Sequence, residues 1–132
     1  MLKKLSALFL LPLLLAGCDT PFNMTNVTAS QQTRTTNNLY TVEVAVASRQ
    51  QTLRWSSIRP QIMVDHQTYP MRPVMLMSNR WEGQVPAPAG VNEVRYQYRF
   101  DFDYNAFGQP QADSVISPEY TLHILNTPHT AE

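Results

Sequence analysis

The feature that most constrains this sequence is a long stretch, residues 94–104, in which apolar and polar side chains alternate without a break. A period of two is the pattern of a β-strand with one face buried and the other in water. At about 3.3 Å per residue the strand would span roughly 35 Å, which predicts a position at the centre of a sheet. One face carries Val94, Tyr96, Tyr98, Phe100, Phe102 and Tyr104; the other carries Arg95, Gln97, Arg99, Asp101 and Asp103.

The rest of the chain after residue 38 is also predicted to form strands. Leu39 to Ala47 alternates in the same way, and no apolar pattern has the spacing that would bury one side of a helix. Shorter strands are predicted at 61–65, 74–78, 81–85 and 114–125, the last interrupted by Pro118, where a proline favours an edge strand with a kink or bulge. Turns are expected at 86–90 and 105–110. About seven antiparallel strands over residues 39–126 predict an all-β sandwich domain.

The segment Trp81-Glu82-Gly83-Gln84-Val85, followed by Gly90 and by the Tyr96-x-Tyr98 strand, carries a resemblance to known modules. It is similar to early-set immunoglobulin-like and starch-binding modules, which carry W-x-G-x-V before a turn and a Y-x-Y strand. The resemblance covers about 20 residues. It implies an immunoglobulin-like sandwich without the disulfide of true immunoglobulins, since the chain has one cysteine.

The first residues have the layout of a secretory signal. Lys3 and Lys4 precede an apolar run, residues 5–16, that is too short for a transmembrane helix, which needs roughly 20 residues. Leu15-Ala16-Gly17-Cys18 resembles the lipobox of bacterial lipoproteins. The resemblance implies cleavage after Gly17, a diacylglycerol on the Cys18 thiol and an acyl chain, such as palmitate, on the new amine. Residues 1–17 are therefore expected to be a signal peptide.

A lipid on Cys18 would anchor the protein in a membrane with its domain outside the cytoplasm, because several acyl chains hold a protein stably. Asp19 follows the cysteine. In enteric bacteria an aspartate there resembles the signal for retention in the inner membrane, so this membrane is slightly favoured and the outer membrane stays open. Residues 18–38 are polar and without period, which predicts a tether; the alternative for 27–30 is a first edge strand. Residues 127–132 are expected to be a tail.

Charge excludes one class of partner. Both lysines lie in the signal peptide, so the rest of the chain has eight arginines against ten acidic residues. With acidic residues in slight excess, the sequence suggests no basic patch for binding nucleic acid.

Catalysis and cofactor binding are not predicted. His66, His123 and His129 are far apart and have no ligand spacing, and no serine lies in a G-x-S-x-G motif. Asp101, Asp103 and Asn105 start like a calcium loop, but its sixth and twelfth positions are Ala106 and Ala112. An alternating-charge strand surface is favoured over calcium, and no cofactor is expected besides the covalent lipid.

Two tryptophans are the candidate contact residues for a glycan or a protein partner. Burial is favoured for Trp81, whereas Trp55 is equally compatible with burial and exposure. The methionines at positions 63, 71, 75 and 77 suit an adaptable partner surface, but burial of the 74–78 strand is favoured.

Together these patterns predict a lipid-anchored protein of the cell envelope whose sandwich binds a protein partner or scaffolds an assembly, without catalysis. Exposed edge strands are the expected binding elements, since strand addition uses backbone groups and needs no sequence motif. The alternative is a glycan-binding module, which would require exposed, coplanar aromatic side chains.

Overall fold

The structure is a computed structural model that describes residues 22–126. The predicted signal peptide 1–17, the lipidated Cys18 and the predicted tail 127–132 lie outside the described residues. Every element in the described part is a strand, which confirms the all-β prediction. The strands are β1 Phe22–Asn26, β2 Gln31–Thr33, β3 Leu39–Ser48, β4 Leu53–Val64, β5 Gln67–Pro70, β6 Arg72–Pro73, β7 Arg80–Pro86, β8 Glu93–Ala106, β9 Gln109–Ile116 and β10 Tyr120–Leu125.

The ten strands form two sheets. The first has the order β1-β3-β7-β6; the second has the order β2-β10-β8-β4-β5, with β9 also paired to β8. All pairs are antiparallel except β2 with β10, so the second sheet is mixed. A β-sandwich is confirmed, with short edge strands beyond the seven predicted, while its immunoglobulin-like type remains a prediction.

Strand β8 is the centre of the domain, as its alternation predicted. It pairs with β4 on one side and with β9 and β10 on the other. Its inward side chains from Val94 to Phe102 are buried against the other sheet, where they meet the inward valines of β3. Phe22 stacks on Phe102 at 5.1 Å between ring centroids, and Trp81 meets Phe100 edge-on at 5.6 Å. Such aromatic pairs stabilise the core beyond the area they bury.

The predicted irregularity at Pro118 is a β-bulge. Strands β9 and β10 lie end to end along the same side of β8, but their registers differ by one residue, Arg99 facing Ile116 and Tyr96 facing Tyr120. The extra residue falls at Pro118 and Glu119, where a proline costs no ladder hydrogen bond. Ser117 closes the gap, since its hydroxyl accepts from the Tyr98 amide at 2.8 Å.

The predicted tether is wrong for residues 22–38, which belong to the domain. Phe22 is buried, β1 pairs with β3, and β2 pairs with β10. Arg34 fixes the segment to the far side of the fold, since its guanidinium donates to the carbonyls of Ala87, Pro88 and Val91. Polar side chains misled the prediction because they serve here as hydrogen-bond partners of distant backbone groups.

The strand predicted at 74–78 is also wrong, because this segment turns the chain between β6 and β7. The Val74 amide donates to the Arg80 carbonyl at 2.9 Å, and the Met77 amide donates to the Val74 carbonyl at 3.1 Å. Met75, Leu76 and Met77 are exposed, contrary to the burial that was favoured. Leu76 has a φ of 65°, a left-handed conformation that cannot continue a strand.

Candidate interaction site

The structure separates the two candidate tryptophans. Trp81 lies on β7 and is buried in the core, as expected. Trp55 lies on β4 and is 46% exposed. It stands where the pairing of β4 with β8 is interrupted between Arg54 and Arg59, so the residues between them leave the ladder. The exposed tryptophan therefore results from a β-bulge, a feature that re-aims side chains and that period-two analysis does not detect.

Strand β9 is an edge strand with one free side. This strand pairs with β8 over its whole length, but no strand within residues 22–126 pairs with its other side. Almost every residue of β9 is exposed, and Ile116 is 53% exposed. An unpaired strand edge is a template on which an extended segment of another chain can add.

The ladder geometry shows which backbone groups of β9 point outward. The Ser117 amide donates to the Tyr98 carbonyl at 2.9 Å, and the Asn105 amide donates away from β9 to the Thr52 carbonyl at 2.9 Å. Backbone groups alternate in direction along a strand, so residues with the parity of Ser117 bond to β8. The outward groups are those of Pro110, Ala112, Ser114 and Ile116.

Two residues limit the use of this edge. Pro110 has no amide hydrogen, so the first outward position offers only a carbonyl. The Asp113 carboxylate accepts from the Ser114 amide at 2.8 Å, and so occupies a second outward donor. Ala112 and Ile116 keep outward amides, with carbonyls at all four positions. A proline and an inward-facing charge are devices that protect edges from indiscriminate pairing, and Asp113 lies opposite the inward-facing Phe102.

The polar face of β8 forms an alternating-charge surface. Arg99 pairs with Asp101 at 3.0 Å, and Arg59 on β4 pairs with Asp103 at 3.6 Å. These exposed pairs are worth at most about 1 kcal/mol each. The aspartates thus have arginine partners, and the described residues contain no group of three or more potential ligands that could hold a metal ion.

A polar cluster ties β1 to β8 inside the sandwich. The Tyr98 hydroxyl donates to Asn26 Oδ1 at 2.6 Å and lies 3.0 Å from Thr28 Oγ1, while Asn26 Nδ2 donates to the Tyr96 hydroxyl at 2.9 Å. Burial raises the pKa of Tyr98 well above its usual range; the Thr28 bond opposes this rise and neighbouring Tyr96 adds to it. The hydrogen bonds of this cluster hold β1 against β8.

A surface cavity of about 310 Å³ lies where the chain crosses from β5 to β6. Tyr69, Met71 and Gly83 contribute to its lining, and Arg72 pairs with Glu82 at 3.4 Å beside it. Gly83 is required because a Cβ there would stand 2.6 Å from Ile62 Cδ1 and 2.8 Å from the Pro70 carbonyl oxygen. The shape of the cavity results from the close passage of β5 over β7.

The two histidines within residues 22–126 are not brought together. His66 lies in the turn between β4 and β5, and His123 lies on β10; both are exposed. His129 lies outside the described residues. No sequence pattern pointed directly to the β9 edge, since the predicted strand began only at Ser114. The available signal was Phe107-Gly108, which forms the two-residue loop of a hairpin. A loop of this length starts the returning strand at Gln109, five residues before the predicted start.

No protein-family model, curated protein or solved structure matches this chain significantly. Within residues 22–126 there is also no helix that could span a membrane.

Proposed function

We propose that this chain is a lipid-anchored protein of the cell envelope and that its β-sandwich is a non-catalytic interaction module. In this proposal Cys18 carries the lipid, and the partner is an envelope protein that adds an extended segment to the free edge of β9. The observation that carries the proposal is the exposure of this edge.

The length of β9 distinguishes it from the other edges. It has eight residues, whereas β2, β5 and β6 have three, four and two. Strand β1 has five residues and is held to β8 through the Asn26 cluster. The affinity of strand addition comes from main-chain hydrogen bonds, so a longer edge offers a larger binding energy.

The side chains on β9 would supply specificity. Ile116, Ser114 and Ala112 share the face that carries Arg99, Asp101 and Asp103 on β8. An added strand would therefore place alternate side chains beside Ala112, Ser114 and Ile116, with the charges of β8 one strand further away. Because the Ser114 amide already donates to the Asp113 carboxylate, an added strand would lack a hydrogen bond to that amide. This favours a partner whose register leaves this position unbonded over indiscriminate pairing with any exposed strand.

The test compares Ala112→Pro with the matched control Ala112→Ser in the full lipidated protein. The Ala112 amide points away from β8, so proline removes an outward donor without removing a β8–β9 hydrogen bond. Cross-linking in intact envelopes followed by purification should recover a partner with the wild type and with Ala112→Ser, and lose it with Ala112→Pro. Equal melting temperatures of the two variants would show that the domain is intact.

Equal recovery of the same partner with Ala112→Pro would exclude the β9 edge as the binding site. The anchor is tested separately with Cys18→Ala, which should abolish incorporation of labelled palmitate. Persistent labelling in that variant would contradict lipidation at Cys18.

Glycan binding remains the alternative function, and exposed Trp55 favours it. Because Trp81 is buried, the stacking surface would rest on Trp55 alone. Cross-linking that recovers only cell-wall or surface polysaccharide, and loses it with Trp55→Ala, would support this alternative.

A further inference from the structure

Two hairpin loops expose a large apolar side chain at their tips. Leu76, between β6 and β7, and Phe107, between β8 and β9, are both fully exposed. Both have positive φ angles, 65° and 53°, which bulky residues rarely adopt. Met75 beside Leu76 is also exposed. Neither ring nor branched chain contributes to the described core, so folding does not explain why apolar residues occupy these strained positions.

The topology places both tips at the same end of the sandwich. The last residue of β3, Ser48, faces Phe22, and Phe22 stacks on Phe102 near the end of β8. Strand β8 then continues to the Phe107 hairpin. Strand β7 runs antiparallel to β3, and the Asn79 carbonyl accepts from the Val46 amide at 2.9 Å. The loop that precedes β7, with Leu76 at its tip, therefore also lies at the end of β3.

The first residue that the structure describes, Phe22, lies at this end. Phe22 begins β1 beside Ser48, and three residues separate it from Cys18. Covalent geometry limits the reach of a chain of this length to about 14 Å. A lipid on Cys18 would therefore hold this end of the sandwich, and not the opposite one, close to the membrane.

The two ends of the sandwich differ in their exposed charged residues. Arg49 directly follows β3, and Arg54 lies one residue after the start of β4, so both are at the Phe107 end; both are exposed, and Arg54 precedes the exposed Trp55 in the chain. Asp103, which faces Arg54, is paired with Arg59. At the opposite end the exposed charges are mixed, since Arg95 lies near Asp65 and Glu93. Arginine and tryptophan suit the interface between anionic headgroups and acyl chains.

We infer that this end of the sandwich docks on the lipid surface, with Leu76 and Phe107 inserted among the headgroups. The inference rests on the proposed lipid anchor and adds the orientation of the domain. Insertion removes the apolar tips from water, and the lipid anchor keeps them at the membrane surface. Strand β9 then runs from the membrane outward, with Ile116 away from the bilayer and its free edge accessible to a partner.

The test uses the lipidated full protein in liposomes of phosphatidylethanolamine and phosphatidylglycerol. Cys18 is the only cysteine, and its thiol is consumed by the lipid, so Met75→Cys or His66→Cys introduces a single reactive thiol for a fluorescent NBD label. The Met75 site lies beside a tip and the exposed His66 site at the opposite end. Nitroxide lipids should quench NBD at position 75 and leave position 66 unaffected, while iodide should quench position 66 more strongly.

A second variant keeps the label at position 75 and adds Leu76→Ser with Phe107→Ser. It should lose the quenching by nitroxide lipids while retaining the anchor. Mass spectrometry of the same sample measures lipidation. Lipidated protein with equal quenching at both positions would overturn the docking and leave the anchor standing. Absence of lipid on Cys18 would overturn both. Protection of position 75 from iodide without nitroxide quenching would indicate a protein contact and overturn docking on lipid.

Discussion

Strands β8 and β9 are the two arms of one hairpin, joined by Phe107 and Gly108, yet they differ in burial and in the number of strands they pair with. β8 has partners on both sides and buries alternate side chains, whereas β9 has one partner and is exposed on both faces. The difference shows that a strand can be held mainly by its ladder, with Val115 as its one side chain packed against the core, when its neighbour is anchored there. It also explains why β8 stabilises the domain while β9 remains accessible to another chain.

The largest test of this contrast is Phe100→Asp on β8. Phe100 is fully buried between Phe22 and Trp81, so an unpaired carboxylate there should cost more than about 4 kcal/mol and unfold the domain. The control is Ile116→Asp on β9, which should change the free energy of unfolding by less than about 1 kcal/mol. Urea denaturation measures both. Similar losses in the two variants would show that β9 is also part of the core.

A smaller effect is expected from Tyr98→Phe on β8. The hydroxyl contacts Asn26 and Thr28 inside the sandwich, so its removal should cost about 1–3 kcal/mol. The control is Tyr69→Phe on the edge strand β5, where the hydroxyl bonds exposed Gln67 and the loss should stay below about 1 kcal/mol. An unchanged free energy of unfolding in Tyr98→Phe would mean that this cluster does not hold β1.

The same variant has a distinct pH dependence. Burial raises the pKa of Tyr98 in the folded state, so the protonated hydroxyl favours folding. Its contribution is fully present below the unfolded pKa of about 10 and is lost as the pH rises above it. Wild-type stability should therefore fall above pH 10 more steeply than that of Tyr98→Phe. Parallel curves from chemical denaturation at pH 8 to about 11 would contradict the raised pKa.

The smallest effect is expected at the turn that joins the two strands. Phe107 and Gly108 both have positive φ in a two-residue loop, the geometry of a type I′ turn, which favours Asn-Gly. Phe107→Asn should stabilise the domain by about 1 kcal/mol, because asparagine adopts this conformation at lower cost. Phe107→Ala is the control that removes the ring without this preference. An equal gain in melting temperature for both would assign the effect to the lost apolar surface.

The sequence by itself determined the parts of the fold in which alternation is continuous. In β3 and β8 the alternation predicts the face of the sheet on which each side chain lies, since the period of a strand is a local property. This identified the all-β class, the central strand, the buried Trp81 and the irregularity at Pro118. The resemblance to a lipobox is also read from a linear peptide, and lipidation at Cys18 stays a prediction.

Tertiary structure decided the remaining elements. Residues 22–38 joined the domain because Asn26 and Arg34 bond groups that lie far away along the chain. Residues 74–78 became a turn although their side chains are apolar, and β9 formed although its sequence barely alternates, because β8 supplied a ladder for it. In each case the deciding contacts join residues distant in sequence. A local pattern carries no information about such contacts, and the candidate site at the β9 edge could therefore be located only once the neighbours of β8 were known.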